Sequence, residues 1–233
     1  MSASINLTGT VRDFAADGVN FEGAITGLRT GAVETTLTGS VPTLSASGAT
    51  HISNSGAGAF DNWYSNITNT TTYGLTLVET SPGSGIYAYS SNSFFPIDGQ
   101  LLGNQGNPHN YHFTYAIAAS FGYIKDAGQT FEFTGDDDVW VFFDNLLGID
   151  LGGVHGAANQ AVNLDTLFNG TRESGNYPFN FFFAERHTSG SNLMITTSLL
   201  LENPPTPAPE PGTLALLGLG LAGLGVIRRR RVN

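Results

Sequence analysis

An all-β domain, a single β-sandwich or jelly-roll-like barrel with few short helices, is the fold class this sequence predicts. Three observations lead to it. Apolar residues recur at every second position in several short runs, the period of a half-buried strand. Charged residues make up only 12% of the chain, so Ser, Thr and Asn must cover the surface in place of Lys and Glu. Gly, Asn, Asp and Pro fill the gaps between the runs, as turns require. Hydrophobic residues, at 40% of 233, suffice for one packed core and exclude a wholly disordered chain.

The elements follow in order. Ile5, Leu7 and Val11 share one alternate face, with Gly9 leaving a gap in it. Phe60–Tyr64 and Leu164–Phe168 are the only stretches that read as short helical turns. Leu75, Leu77 and Glu79 follow a Thr-rich segment, and Thr130–Thr134 alternates cleanly. Val139–Phe143 is a continuous apolar run, and Phe179–Phe183 is one broken only by Asn180. Such runs predict strands buried on both faces. Leu193–Leu201 closes the domain. No linker divides residues 1–202, which are expected to form one unit. Residues 203–212 read as a Pro-rich linker, 213–227 as a short hydrophobic helix, and 228–233 as an Arg-rich end.

Charge separates the body from the tail. Residues 1–205 hold five basic and eighteen acidic side chains, a net of −13, and the remainder brings the whole chain to −10. A body this acidic repels phosphates, which argues against a nucleic-acid partner, and it attracts divalent cations. Cysteine is absent, so neither disulfides nor a thiolate metal site is available.

Thr213–Ile227 is uncharged and apolar, and Arg228, Arg229, Arg230 and Arg231 follow at once. As a helix it spans roughly 22 Å, short of a ~30 Å hydrocarbon core until the Arg stems snorkel. The arginines mark a cytoplasmic end, so the body is expected outside. The Gly218–Gly223 stretch matches a dinucleotide fingerprint, but no strand precedes it and no acidic residue follows. Pro209-Glu210-Pro211, the apolar segment and the Arg cluster together resemble the PEP-CTERM sorting signal of exported bacterial proteins. That resemblance implies an exosortase-type membrane protease as partner, transient inner-membrane anchoring, and a destination at the cell surface or in the extracellular matrix. An ordinary tail anchor is the alternative. Met1–Asn6 has neither a basic nor an apolar leader region, so an export signal is expected upstream or already removed.

Gly135-Asp136-Asp137-Asp138 places three adjacent carboxylates in a turn between two strands. Clustered anions repel unless donors or a cation compensate. Read alone, the turn is either a solvated acidic hairpin or a cation site, whose oxygen donors favour Ca²⁺ over Zn²⁺. His109 and His112 are three apart, which in a strand sends them to opposite faces, so structural hydrogen bonding is expected of the histidines. Glu185-Arg186 reads as a local ion pair or as a loop beside a metal. Trp63 and Tyr64 are expected in the core, with a sugar-stacking surface as the alternative.

Several segments in order, among them Phe94–Gly99, His109–Tyr115, Thr130–Phe142, Asp150–Gly156, Val162–Asp165 and Phe183–His187, resemble the fibro-slime domain. That family is related to the protective-antigen-type β-sandwich and to flocculin lectin domains. The resemblance covers most of residues 8–201. It implies that Asp136 and Asp137 bind Ca²⁺, that the peptide between them is cis, and that the ion holds a glycan's hydroxyls. Asp138 is expected to face solvent or cap the turn. Because Ca²⁺ wants six to eight oxygens, a second loop should close the site, with Glu185 and Asn192 as candidates. The reading is a non-enzymatic, calcium-dependent carbohydrate-binding or adhesion protein whose partner is a glycan or exopolysaccharide. The alternatives are a purely structural matrix protein with a stabilising calcium, or a carboxylate-based glycosidase. The last is disfavoured because adjacent aspartates on one turn suit chelation better than hydrolysis.

Overall fold

The computed structural model describes residues 2–16, 21–23, 26–52, 60–65 and 67–204. The sorting segment 209–231, including its helix and Arg cluster, lies outside the described residues, as do Val19 and Asn20. Among the described residues the strands are β1 (Ser4–Asp13), β2 (Thr70–Glu79), β3 (Tyr87–Ser91), β4 (Phe113–Tyr123), β5 (Thr130–Gly135), β6 (Asp138–Phe143), β7 (Leu146–Leu151), β8 (Ala158–Asn163), β9 (Gly175–Glu185), β10 (Leu193–Thr197) and β11 (Leu201–Glu202). Two five-residue helices join them, α1 (Gly48–Ile52) and α2 (Leu164–Phe168), with a 3₁₀ turn at Phe60–Asn62. The fold is all-β, as the alternation predicts. Helix α1 was not expected; its short, weakly apolar sequence carries no periodic signal.

The strands pair antiparallel into one sheet in the order β7-β6-β9-β4-β1-β2-β3-β10-β5-β8, with β11 on β4. The two ends of that path approach each other, and the Asp150 N–H donates to Gln160 Oε1 at 2.7 Å across the seam. The sheet is thus a nearly closed barrel. Its interior is filled by the alternate residues of each strand: Ile5, Leu7 and Val11 from β1, Leu75 and Leu77 from β2, Phe131 and Phe133 from β5, Phe179, Phe181 and Phe183 from β9. Gly9 stands where the β1 pattern skips. A Cβ there would lie 2.5 Å from the Tyr115 ring, so the missing side chain makes room for that tyrosine.

A second apolar cluster explains the unbroken runs. Trp140, Phe142, Phe182 and Ala184 point to the outer faces of β6 and β9, where Phe21, Val33, Leu37, Ile52, Phe60 and Trp63 cover them. Both strands therefore bury two faces, and their sequences carry no polar alternation. The Asn163 side chain caps α2 by accepting the Thr166 N–H at 3.1 Å. No helix among the described residues is long and apolar enough to cross a membrane.

Candidate functional site

The acidic turn is built where β5 hands over to β6. Gly135 ends β5, Asp138 opens β6, and the Asp136–Asp137 peptide between them is cis. The register Leu193↔Gly135 brings the start of β10 alongside. A Cβ on Gly135 would sit 2.3 Å from the Asn192 carbonyl oxygen, so only glycine lets the two segments approach this closely. Asn192 then grips Asp136 with two donors. Its backbone N–H donates to Oδ1, and its Nδ2 donates to Oδ2 at 2.7 Å. Asp137 is held by two further main-chain donors, His155 N–H to Oδ1 at 3.0 Å and Arg186 N–H to Oδ2 at 2.9 Å. Asp136 and Asp137 are both buried. Three segments of the chain thus converge on one pair of carboxyls: the turn, the loop after β7, and the loop after β9.

Asp138 departs from expectation. It neither faces solvent nor caps the turn; it is 0% exposed and paired with the equally buried Arg186. Arg186 Nε lies 2.6 Å from Oδ2, Nη2 donates to Oδ1 at 3.0 Å, and the Gly153 N–H donates to the same Oδ1 at 2.6 Å. The guanidinium also donates from Nη1 to the Ile52 carbonyl at 2.8 Å and lies 5.1 Å from the Trp63 ring centroid. The physical reason is parity. Asp138 points to the same side of β6 as Trp140 and Phe142, into the second cluster, where an uncompensated charge is expensive. The local Glu185–Arg186 ion pair therefore does not form.

Glu185 is left on the other face. It alternates with Phe181 and Phe183 and so points toward the main core. Its side chain is fully buried, and neither carboxyl oxygen has a hydrogen-bond partner. The buried Ser191 hydroxyl beside it falls outside hydrogen-bond geometry yet pulls the carboxyl's pKa down against the burial. Burial first, and the neighbouring Asp137 carboxyl second, push the Glu185 carboxyl well above the usual range. Burial and the adjacent Asp138 charge do the same to Asp137. Ionised together, these carboxyls would carry more negative charge than their donors offset, so they hold their protons to higher pH.

A hard divalent cation fits this chemistry. The side chains offer oxygen, two of those oxygens are buried and unbonded, and a carboxylate oxygen accepting one hydrogen bond keeps a lone pair for a metal. Among the described residues no three His, Cys, Asp or Glu side chains are placed to hold one metal ion together. Main-chain, amide and water oxygens would have to complete a calcium shell.

The other residues singled out from the sequence are structural. His109 Nδ1 meets Asp98 Oδ2 at 2.6 Å while its ring stacks on Phe95. The buried His112 meets Glu22 through Nε2 at 2.5 Å. The His155 ring bonds the Gly156 and Leu151 carbonyls, and only its backbone serves the site. His187 has a left-handed backbone, φ 67°, and its Nε2 is buried without a hydrogen bond. Trp63 and Tyr64 are core residues with no face for a sugar ring. Sequence reasoning missed Ser191, His155 N–H and the Arg186–Asp138 pair. The signal for the last was a single arginine ending an apolar strand in a body with five basic residues.

Comparison with known proteins adds two family matches and a group of relatives. Residues 95–212, half of the chain, match the PA14 domain, and residues 207–231 match the PEP-CTERM protein-sorting motif. Protein psiQ of Dictyostelium discoideum is 43% identical over 161 residues, covering 62% of this chain and 16% of psiQ. Protein psiC of the same organism is 47% identical over 153 residues, covering 61% of this chain and 29% of psiC. The chain thus spans less than a third of the length of these relatives. A crystal structure of the PA14 domain of the MpAFP antifreeze protein aligns with 88% of this chain and 96% of that one, at 9% identity and a TM-score of 0.39.

Proposed function

Because the chain belongs to the PA14 domain family, we propose that it is an exported surface or matrix protein whose barrel binds carbohydrate through a calcium ion at the Asp136–Asp137 turn. The observation that carries the reading is the Glu185 carboxyl, buried without a hydrogen-bond partner beside two buried aspartates. A cation relieves that excess charge, and an ion near a loop rim can exchange water for vicinal hydroxyls of a sugar. In this reading Asp136 and Asp137 ligate the ion and Asn192 steadies Asp136, while Glu185 must turn from the core side to add a third carboxylate. No substrate chemistry is proposed: adjacent aspartates on one turn suit chelation better than the opposed geometry that hydrolysis needs.

Export rests on the PEP-CTERM motif. An exosortase-type protease is the proposed processing partner, and the apolar segment the transient membrane anchor. The fibro-slime branch of the family is our assignment, on the ordered segments from Phe94 to His187. The test is glycan-array binding of the domain in millimolar Ca²⁺ and again in excess chelator. Binding that disappears with chelator supports the reading; binding of equal strength in both sinks the calcium role. The depth of Glu185 favours a second reading, in which the ion only stiffens the loops. Calcium-dependent stability with an empty glycan array would select it.

A further inference from the structure

Asp138 and Arg186 are fully buried and offer no surface to a ligand. Even so, they adjoin the cation loops on two sides. Asp138 is the next residue after Asp137, and Arg186 the next after Glu185. The Arg186 backbone N–H lies 2.9 Å from Asp137 Oδ2, and the guanidinium is close enough for its charge to act on the Asp137 carboxyl.

We propose that the pair acts as a charge sink: Asp138 takes up the Arg186 guanidinium and so preserves the negative charge of Asp137 and Glu185 for a cation. This rests on the calcium reading above and adds two positioning residues that touch neither ion nor glycan. The geometry commits the guanidinium to Asp138 and the cover segment through contacts that include Nε to Asp138 Oδ2 at 2.6 Å, Nη2 to Oδ1 at 3.0 Å, Nη1 to the Ile52 carbonyl at 2.8 Å, and the Trp63 ring at 5.1 Å. Gly153 N–H fixes Asp138 Oδ1 from the other side. Strand parity does the rest. Asp138 and Arg186 lie with the second cluster, while Glu185 faces the main core with Phe183. The result is a site whose carboxyls can give up their charge to a cation, although a cationic side chain sits on the very next residue.

The test is calorimetric titration with calcium chloride alone, on the parent and two variants, with melting curves in chelator as the check of folding. Asp138→Asn releases the arginine's charge, and calcium affinity should fall at least about tenfold although no ligand is removed. Asp138→Asn combined with Arg186→Gln deletes both charges, and affinity should return to within about threefold of the parent. A role confined to packing, or a ligand role for Asp138, leaves the double variant as weak as the single one and overturns the proposal. Parent binding with Asp138→Asn unchanged overturns it as well and leaves the calcium reading standing. A parent that binds no calcium overturns both. Should Asp138→Asn unfold in buffer, the same titration in a stabilising osmolyte reads it.

Discussion

Arg186 pairs with Asp138, 48 residues earlier, and not with Glu185 beside it. The guanidinium simultaneously reaches the Ile52 carbonyl, so one side chain ties the cover segment around α1 to the ends of β6 and β9.

Breaking that pair from one side leaves a charge buried without its partner. Arg186→Met leaves the Asp138 carboxylate buried without its partner and should destabilise the domain by about 3–5 kcal/mol. Urea denaturation of parent and variant in chelator measures it. A loss below about 1 kcal/mol would show that the buried pair is not the anchor its geometry indicates.

Calcium should raise the melting temperature. With the ion at about a hundred times its Kd the native state gains about 2.7 kcal/mol, and for a domain of this size that is a shift of roughly 5–10 °C. Superimposable scanning-calorimetry traces in millimolar Ca²⁺ and in chelator would remove the metal from the account.

Asp137→Ala should abolish calcium uptake and any calcium-dependent glycan binding together. It removes a carboxyl held by His155 and Arg186 main-chain donors, and no neighbour can replace its oxygens. A variant that titrates calcium like the parent would place the ion elsewhere.

Gly135→Ala tests the close approach of the two loops. The added methyl meets a main-chain oxygen that cannot turn aside, so β5 or β10 must shift, at a cost of about 1–3 kcal/mol. Calcium affinity should fall with it, because Asn192 is displaced from Asp136. Unaltered stability and affinity would contradict the packing of these segments.

One pH response lies away from the site, where Tyr123 donates to Asp165 Oδ1 at 2.6 Å and Gly128 N–H donates to Oδ2 at 2.8 Å. The tyrosine's hydrogen bond, followed by the main-chain donors, holds Asp165 below its ordinary value. The stability this contributes is present above the unfolded carboxylate pKa and is lost as pH falls through the folded one. Tyr123 is pushed up to about 12, chiefly by the same hydrogen bond. Its contribution is complete below the unfolded phenol pKa of about 10 and is lost as pH rises through about 12. Tyr123→Phe should therefore flatten the decline of stability between about pH 10 and 12. An equally steep decline in the variant would refute the linkage.

Mature surface protein should lack the residues beyond Pro209-Glu210-Pro211. Mass spectrometry that recovers Arg228–Asn233 on it would point to a plain anchor.

Much of the barrel was legible in the chain because alternation is a local property. Ile5, Leu7 and Val11 on β1, and Phe131 and Phe133 on β5, needed only the period of a strand. The runs at Val139–Phe143 and Phe179–Phe183 announced double burial without naming the cover. Strands β7 and β8 gave less, since Gly148 interrupts one and the other mixes Asn and Gln with Ala and Val and has no fully buried position. At the site, the Asp136–Asp137 turn stood out by composition and by resemblance. The assignment of Arg186 did not, because it depends on which face each of two distant strand ends presents, and that is decided by register: Asp138↔Ala184 puts the acid and the base on one side and Glu185 on the other.

The hydrogen bond from Thr8 N–H to Asn203 Oδ1, at 2.9 Å, joins residues 195 apart. The first strand is completed by the last residues of the domain, and the early cover segment waits for Arg186 before Ile52 finds its donor. Long-range pairing of this kind makes assembly slow, on the scale of milliseconds to seconds. Such a chain finishes folding only after its far end has been delivered, which suits a polypeptide threaded through a membrane in an extended state and leaves the barrel to close on the other side.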